Sequence, residues 1–246
     1  MIEKIKHYRV IQRVIVYTAG LFVLAWGVTF SIGSALGVSP VNSIPYVLSR
    51  IFLAGTTYGE YAYTVYGHPE SGLWTTPGPW ATVMFVFFIL LQIAILRKKF
   101  RWFDVIQIFF SFAFGFFLDL TLWMMGSFRI PTYFGQLTML IISIALIAIG
   151  LVLIIGAKIV ALPPEALCLA IVTKIKNSKF HIVKIIVDSS LVIIAIILSL
   201  VFLRDFIGVR EGTVISAVAI GKAIPYARKI LAPVLSKLEV AKDEGP

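Results

Sequence analysis

The sequence predicts an all-α polytopic membrane protein, and three observations predict it. Only 14% of its 246 residues are charged while 59% are hydrophobic, against about 25% charged in a soluble domain. Mean hydropathy is +0.97. Several runs of roughly twenty apolar residues follow one another, each long enough to cross a hydrocarbon core of about 30 Å. One such run could be a buried core helix in a soluble protein, but five or six could not. The expected architecture is about six transmembrane helices plus two re-entrant half-helices, arranged as two inverted three-span repeats.

The elements follow in order. Lys4, Lys6, Arg9 and Arg13 precede an apolar run from Val14 to Leu36. That run is too long for a signal-peptide core and ends in no convincing cleavage site, so it reads as an uncleaved first span with its N-terminus inside. The second span is about Trp80–Leu96, followed by Arg97, Lys98, Lys99 and Arg101, a cytoplasmic marker. The third runs from about Phe103 to Met125, the fourth from Phe134 to about Ala157 and the fifth from about Ile182 to Leu203. A sixth, less apolar, runs from Gly212 to Leu231. With both termini inside, Lys174, Lys176, Lys179, Arg228, Lys229 and Lys237 all face the cytoplasm. Arg50, Arg129, Arg204 and Arg210 do not, and the last two have acidic neighbours in Asp205 and Glu211.

Two apolar stretches remain, Pro40–Phe52 and Pro163–Ile175. At 1.5 Å per residue each reaches only about 20 Å, too short to cross. Each opens with proline, which suits the first turn of a helix because its missing N–H has no partner there. Each follows a full span, so each is expected to dip into the bilayer and return. An offset of 123 residues carries Gly27 onto Gly150, Gly33 onto Gly156 and Pro40 onto Pro163. Each half then reads span, half-helix, span, span. Residues 1–126 form the first repeat, with its half-helix at 40–52. Residues 127–237 form the second, with its half-helix at 163–175, and 238–246 form a disordered tail. An odd number of spans per half turns the second upside down, an arrangement of many secondary transporters.

The strings GSALGVSPVNSIPYVLS and GVREGTVISAVAIGKAI resemble those of the bacterial YczE/YyaS/YitT-type integral membrane proteins. Gly37, Val38, Ser39 and Pro40 match the turn after the first helix; Gly212, Thr213 and Gly221 match a late segment. In the second half the turn reads Ala161, Leu162, Pro163, Pro164, which departs from that pattern. The resemblance implies the fold and a general transporter description rather than an activity.

Ionisable side chains inside spans are costly and are candidate site residues for that reason. Asn42 and Glu165 are repeat mates, each two residues past its proline. If both half-helices pointed their N-termini inward, they would form an anion-binding cleft. Ordinary first-turn preference accounts for Asn and Glu there equally well. Asp188 stands four residues after Lys184, a spacing that also suits a local ion pair. Asp119 in the third span and Lys222 in the sixth have no local partner of opposite sign. A pair between them, or Lys222 with Asp188 or Glu165, is the sharpest expectation. Ser39, Asn42, Asp119, Glu165, Asp188 and Lys222 are the expected substrate-binding residues.

Other classes find little support. His7, His68 and His181 are scattered, no HExxH, GxSxG, P-loop or GxGxxG occurs, and Cys168 is alone. No metal, cofactor, disulfide or enzymatic activity is therefore expected. The net charge of +10 reflects cytoplasmic loops rather than nucleic-acid binding. Gly33-Ser-Ala-Leu-Gly37 fits GxxxG spacing, which reports close packing more often than a dimer face; a homodimer stays among the expected partners, beside the lipid bilayer and a small-molecule substrate. Tyr58, Tyr61, Tyr63 and Tyr66 read as an outer aromatic belt. The expected function is a secondary transporter of a small, by expectation anionic, solute in the cytoplasmic membrane. The alternatives are a non-transporting accessory protein and, behind it, a membrane enzyme acting on lipid-phase substrates.

Overall fold

The computed structural model describes residues 2–54, 75–100, 102–126, 128–175 and 180–239. The expectations for Tyr58, Tyr61, Tyr63, Tyr66 and His68, and for residues 240–246 of the tail, lie outside them, as do the side chains of His7 and His181.

Every regular element among the described residues is helical. In chain order the α-helices are α1 (Ile2–Gly33), α2 (Pro40–Ala54), α3 (Pro77–Leu96), α4 (Gln107–Met125), α5 (Tyr133–Gly156), α6 (Pro163–Lys174), α7 (Phe180–Leu198) and α8 (Glu211–Glu239), with short 3-10 turns at Arg97–Lys99 and Trp102–Ile106 and a π-helical turn at Ser199–Leu203. Five segments are long and apolar enough to cross a membrane: Val10–Gly33, Pro77–Leu96, Asp104–Met125, Tyr133–Gly156 and Ile182–Leu203. The protein is thus a membrane-embedded helical protein. Its outer surface agrees, since Phe109, Phe112, Phe116, Ile141, Ile193 and Phe202 all stand more than half exposed. Such a surface suits lipid and not water. At 29 residues α8 is long enough, but Lys222, Arg228 and Lys229 dilute its apolar character.

Local chemistry sets the boundaries. Thr76 precedes Pro77 at the start of α3, and the Thr132 hydroxyl accepts from Gly135 N–H at 3.3 Å at the start of α5. Pro163 and Pro164 open α6, where an absent N–H costs nothing. Two boundaries differ most from expectation. The first helix begins at Ile2 rather than Val14, because Lys, Arg and Glu are good helix formers and propagate the apolar span backwards. The last helix runs to Glu239, so Leu238 and Glu239 are helical rather than tail.

At the centre α1 lies against α5 in antiparallel sense, Gly20 facing Ile154 and Gly27 facing Ile147. A Cβ on Gly27 would stand 2.8 Å from the Ile147 amide nitrogen, and one on Gly150 would stand 2.7 Å from that of Leu24. Glycine at these points lets the two backbones touch, which is how helices associate in lipid. Around this pair α4 packs on α1 and α3, and α8 packs on α5. The short helices take the flanks, α2 against α7 and α6 against α3. The Gly33–Gly37 spacing does not lie along one helix. Gly33 ends α1 against Met125 and Met139, while Gly37, at φ +116, faces Thr213.

Candidate functional site

The two short helices begin at the same place. Ser39, Pro40 and Asn42 at the head of α2, and Pro164 and Glu165 at the head of α6, line one cavity of about 450 Å³. Apolar residues of α1, α3, α4 and α5 close its inner wall, among them Leu24, Phe85, Phe114 and Leu151. Its exposed lining residues, Phe180, Ile185, Val218, Gly221, Lys222 and Pro225, all belong to α7 and α8, so its mouth lies between those helices. The opposite end of α2 reaches the head of α3, where the Phe52 and Trp80 rings lie 4.7 Å apart.

Asn42 is 6% exposed and Glu165 8%. Asn42 Nδ2 donates to Ser39 Oγ at 3.0 Å, and Asn42 N–H donates to the Ser39 carbonyl at 2.9 Å. Its Oδ1 has no hydrogen-bond partner among the described residues. Glu165 behaves similarly. Its Oε1 lies 3.4 Å from Lys184 Nζ, while its Oε2 is buried without a partner. Lys184 Nζ also lies 3.3 Å from Asp188 Oδ2. One ammonium is therefore shared by two carboxylates inside a mostly apolar cavity.

The expected residues separate into two groups. Ser39, Asn42, Glu165, Asp188 and Lys222 all line this cavity. Lys222 stands exposed on the α8 wall and forms no ion pair among the described residues. Asp119 does not line the cavity. Its Oδ2 accepts from Thr76 Oγ1 at 2.8 Å and its Oδ1 from Gly78 N–H at 2.9 Å, so it caps the start of α3 from a neighbouring helix. The expected Asp119–Lys222 pair is not made, and those donors are the reason. Sequence reasoning tied Lys184 only to Asp188 and missed its contact with Glu165. A signal was present: a connection of a few residues between α6 and α7 folds them antiparallel, which sets residue 165 beside 184 and 188.

A second cavity of about 320 Å³ lies beyond the turn preceding α2, lined by Gly37, Val38, Arg50, Arg129, Asp205 and Arg210 among others. Successive residues of that turn line the two cavities, Gly37 and Val38 the second and Ser39 and Pro40 the first. That turn is fastened by Val38 N–H to the Gly208 carbonyl at 2.8 Å and by Gly212 N–H to the Leu36 carbonyl at 2.8 Å. Arg210 adds a bond to the Ala35 carbonyl at 3.3 Å.

Among the described residues, no three His, Cys, Asp or Glu side chains group as a metal site. A family model described as a family of unknown function, DUF6198, matches residues 11–68 and 70–229, and the chain belongs to that family. No curated protein and no solved structure matches it.

Proposed function

We propose that the chain is a secondary transporter that moves a small solute across the cytoplasmic membrane by alternating access, with α8 as a sixth span and both termini inside. The observation that carries this reading is the convergence of two short helices on one cavity, with Asn42 Oδ1 and Glu165 Oε2 buried there and unpartnered. Buried polar atoms without partners are rare and ask for an explanation, and a transient ligand supplies one. Bilayer-depth cavities met by broken helices are where secondary transporters hold their solutes.

Internal symmetry supports the same reading. Under the offset of 123 residues, Gly27 against Ile147 becomes Gly150 against Leu24, and both contacts are present. Likewise α2 on α7 becomes α6 on α3, and α1 on α4 becomes α5 on α8. Two halves related in this way can exchange conformations, and that exchange opens a central site to alternate sides. The turn at residues 36–40 then acts as the closed barrier, and its bonds to Gly208 and Gly212 break when the opposite side opens.

Cysteine labelling in proteoliposomes tests this. In a Cys168→Ala background, Ser216→Cys is placed on the cavity wall and probed with a membrane-impermeant thiol reagent from each side. Transport predicts labelling from one side that transfers to the other when Gly212→Val is added, since its side chain would press on the Leu36 carbonyl, 2.6 Å from a Cβ there. A non-transporting accessory protein predicts one fixed pattern. Unchanged sidedness in the double variant would falsify alternating access.

A further inference from the structure

We propose that the cavity takes a small amphiphilic amine, its protonated nitrogen held by Glu165 Oε2 and Asn42 Oδ1 and its apolar body laid against Phe85, Phe114 and Leu151. The assignment rests on reading this cavity as the solute site, and it names the solute's chemistry.

Both unpartnered polar atoms contributed by the short helices are acceptors. Asn42 gives one of its two amide N–H donors to Ser39 Oγ and leaves its Oδ1 without a donor. A ligand that satisfies both must bring donors. The interior charges agree, since Glu165 and Asp188 set two carboxylates against the single ammonium of Lys184. A cation completes that balance and an anion worsens it.

Helix N-termini would ordinarily favour an anion, but these two are poor anion sites. Pro163 and Pro164 occupy the first two positions of α6 and carry no N–H. Glu165, in the same turn, already sets its own carboxylate against the helix dipole. At α2, Pro40 lacks an N–H and that of Asn42 is given to Ser39. Few backbone donors are left for a bound anion.

The rest of the cavity suits a hydrocarbon body. Phe85 and Phe114 stack at 5.4 Å, and their neighbours on the wall are aliphatic. The mouth runs between α7 and α8, from Lys222 midway along the expected sixth span to Phe180 at the start of α7. An amphiphile seated at the headgroup level would meet the opening there. Lys222 stands exposed on that rim, and its long stem lets the ammonium turn away from the cavity. Its charge still opposes a bound cation at close range.

The test is calorimetric titration of the purified full-length protein in detergent with three matched probes: 2-phenylethylamine, 3-phenylpropionate and 2-phenylethanol. The amine is expected to bind ~tenfold or more tighter than the alcohol, because charged hydrogen bonds are the strong ones. Glu165→Gln should abolish that advantage, while Lys222→Met should tighten amine binding. Tightest binding by the carboxylate, lost in Lys222→Met, overturns the assignment in favour of an anion site. Equal binding of amine and alcohol, or binding of none of the three, overturns it as well. If Glu165→Gln does not fold, the wild-type ranking decides alone. Amine binding with unchanged labelling sidedness would sink transport and keep the amine; carboxylate preference with transferred sidedness would do the reverse.

Discussion

Two carboxylates on helices of this protein, Asp119 within α4 and Glu165 in the first turn of α6, have surroundings that differ in a way that composition does not reveal. Asp119 on α4 has both oxygens occupied, one by the Thr76 hydroxyl and one by the Gly78 N–H. Glu165 on α6 has one oxygen beside Lys184 and the other bare. Asp119 fastens the start of one helix to another, and its hydrogen-bonding capacity is used up internally. Glu165 retains an acceptor oxygen that no described residue occupies. The general expectation that an intramembrane charge marks a pathway thus needs a second criterion, an acceptor left open toward a cavity. Glu165 meets it and Asp119 does not.

The largest effect should come from the shared cation. Lys184→Met keeps the volume of the side chain and leaves Glu165 and Asp188 facing each other without an ammonium. Removing one partner of a buried ion pair costs about 3–5 kcal/mol, so thermal unfolding in detergent should show the steepest loss of any single change here. A melting temperature close to wild type would mean that the two carboxylates do not depend on Lys184, and that Glu165 is no more a paired group than Asp119.

Next in size is Asp119→Ala. It strands the buried Gly78 N–H at the head of α3 and removes one acceptor from the half-buried Thr76 hydroxyl, a loss of about 1–3 kcal/mol for the buried donor left without an acceptor. Amine titration of the surviving folded protein should match wild type, because Asp119 is remote from the cavity lining. Loss of binding with stability intact would move Asp119 into the site and undo the contrast with Glu165.

Much of this contrast was hidden from the sequence for a physical reason. Elements whose signals are local were legible. Prolines at positions 40 and 163 fixed the heads of both short helices, and the apolar run lengths located the five long spans. The glycine offset that suggested a repeat also coincides with the helix contacts of Gly27 and Gly150. Polar partners separated along the chain were not legible. Asp119 bonds to residues 41 and 43 positions away, which no local pattern announces, and Glu165 meets Lys184 across 19, a contact signalled only by the short connection between α6 and α7. Hydropathy reports depth and not azimuth, so it could not say which charges face one another. Lys222 is paired in expectation with Asp119 because neither has a local partner of opposite sign, whereas that carboxylate takes the donors at Thr76 and Gly78.

The smallest stability effect is also the most discriminating one. Glu165→Gln and Asp119→Asn make the same chemical change, carboxylate to amide, at the two positions. At Asp119 an amide can accept on one side only; its NH₂ then faces either the Gly78 N–H or the Thr76 hydroxyl. The hydroxyl can rotate to accept, so the cost is one weakened hydrogen bond, about 1 kcal/mol. At Glu165 the amide oxygen can still receive Lys184, Asp188 remains to balance that ammonium, and the NH₂ turns toward the cavity where no donor has been left waiting. Stability should change by less than about 1 kcal/mol. Ligand binding should respond in the opposite order, unchanged in Asp119→Asn and lost for the amine in Glu165→Gln. Measuring both melting temperature and amine affinity for the two variants gives a crossed pattern if the open oxygen defines the site. Parallel behaviour, with both variants losing stability and binding together, would mean that the bare Oε2 of Glu165 has only a structural part and that the two carboxylates do the same work.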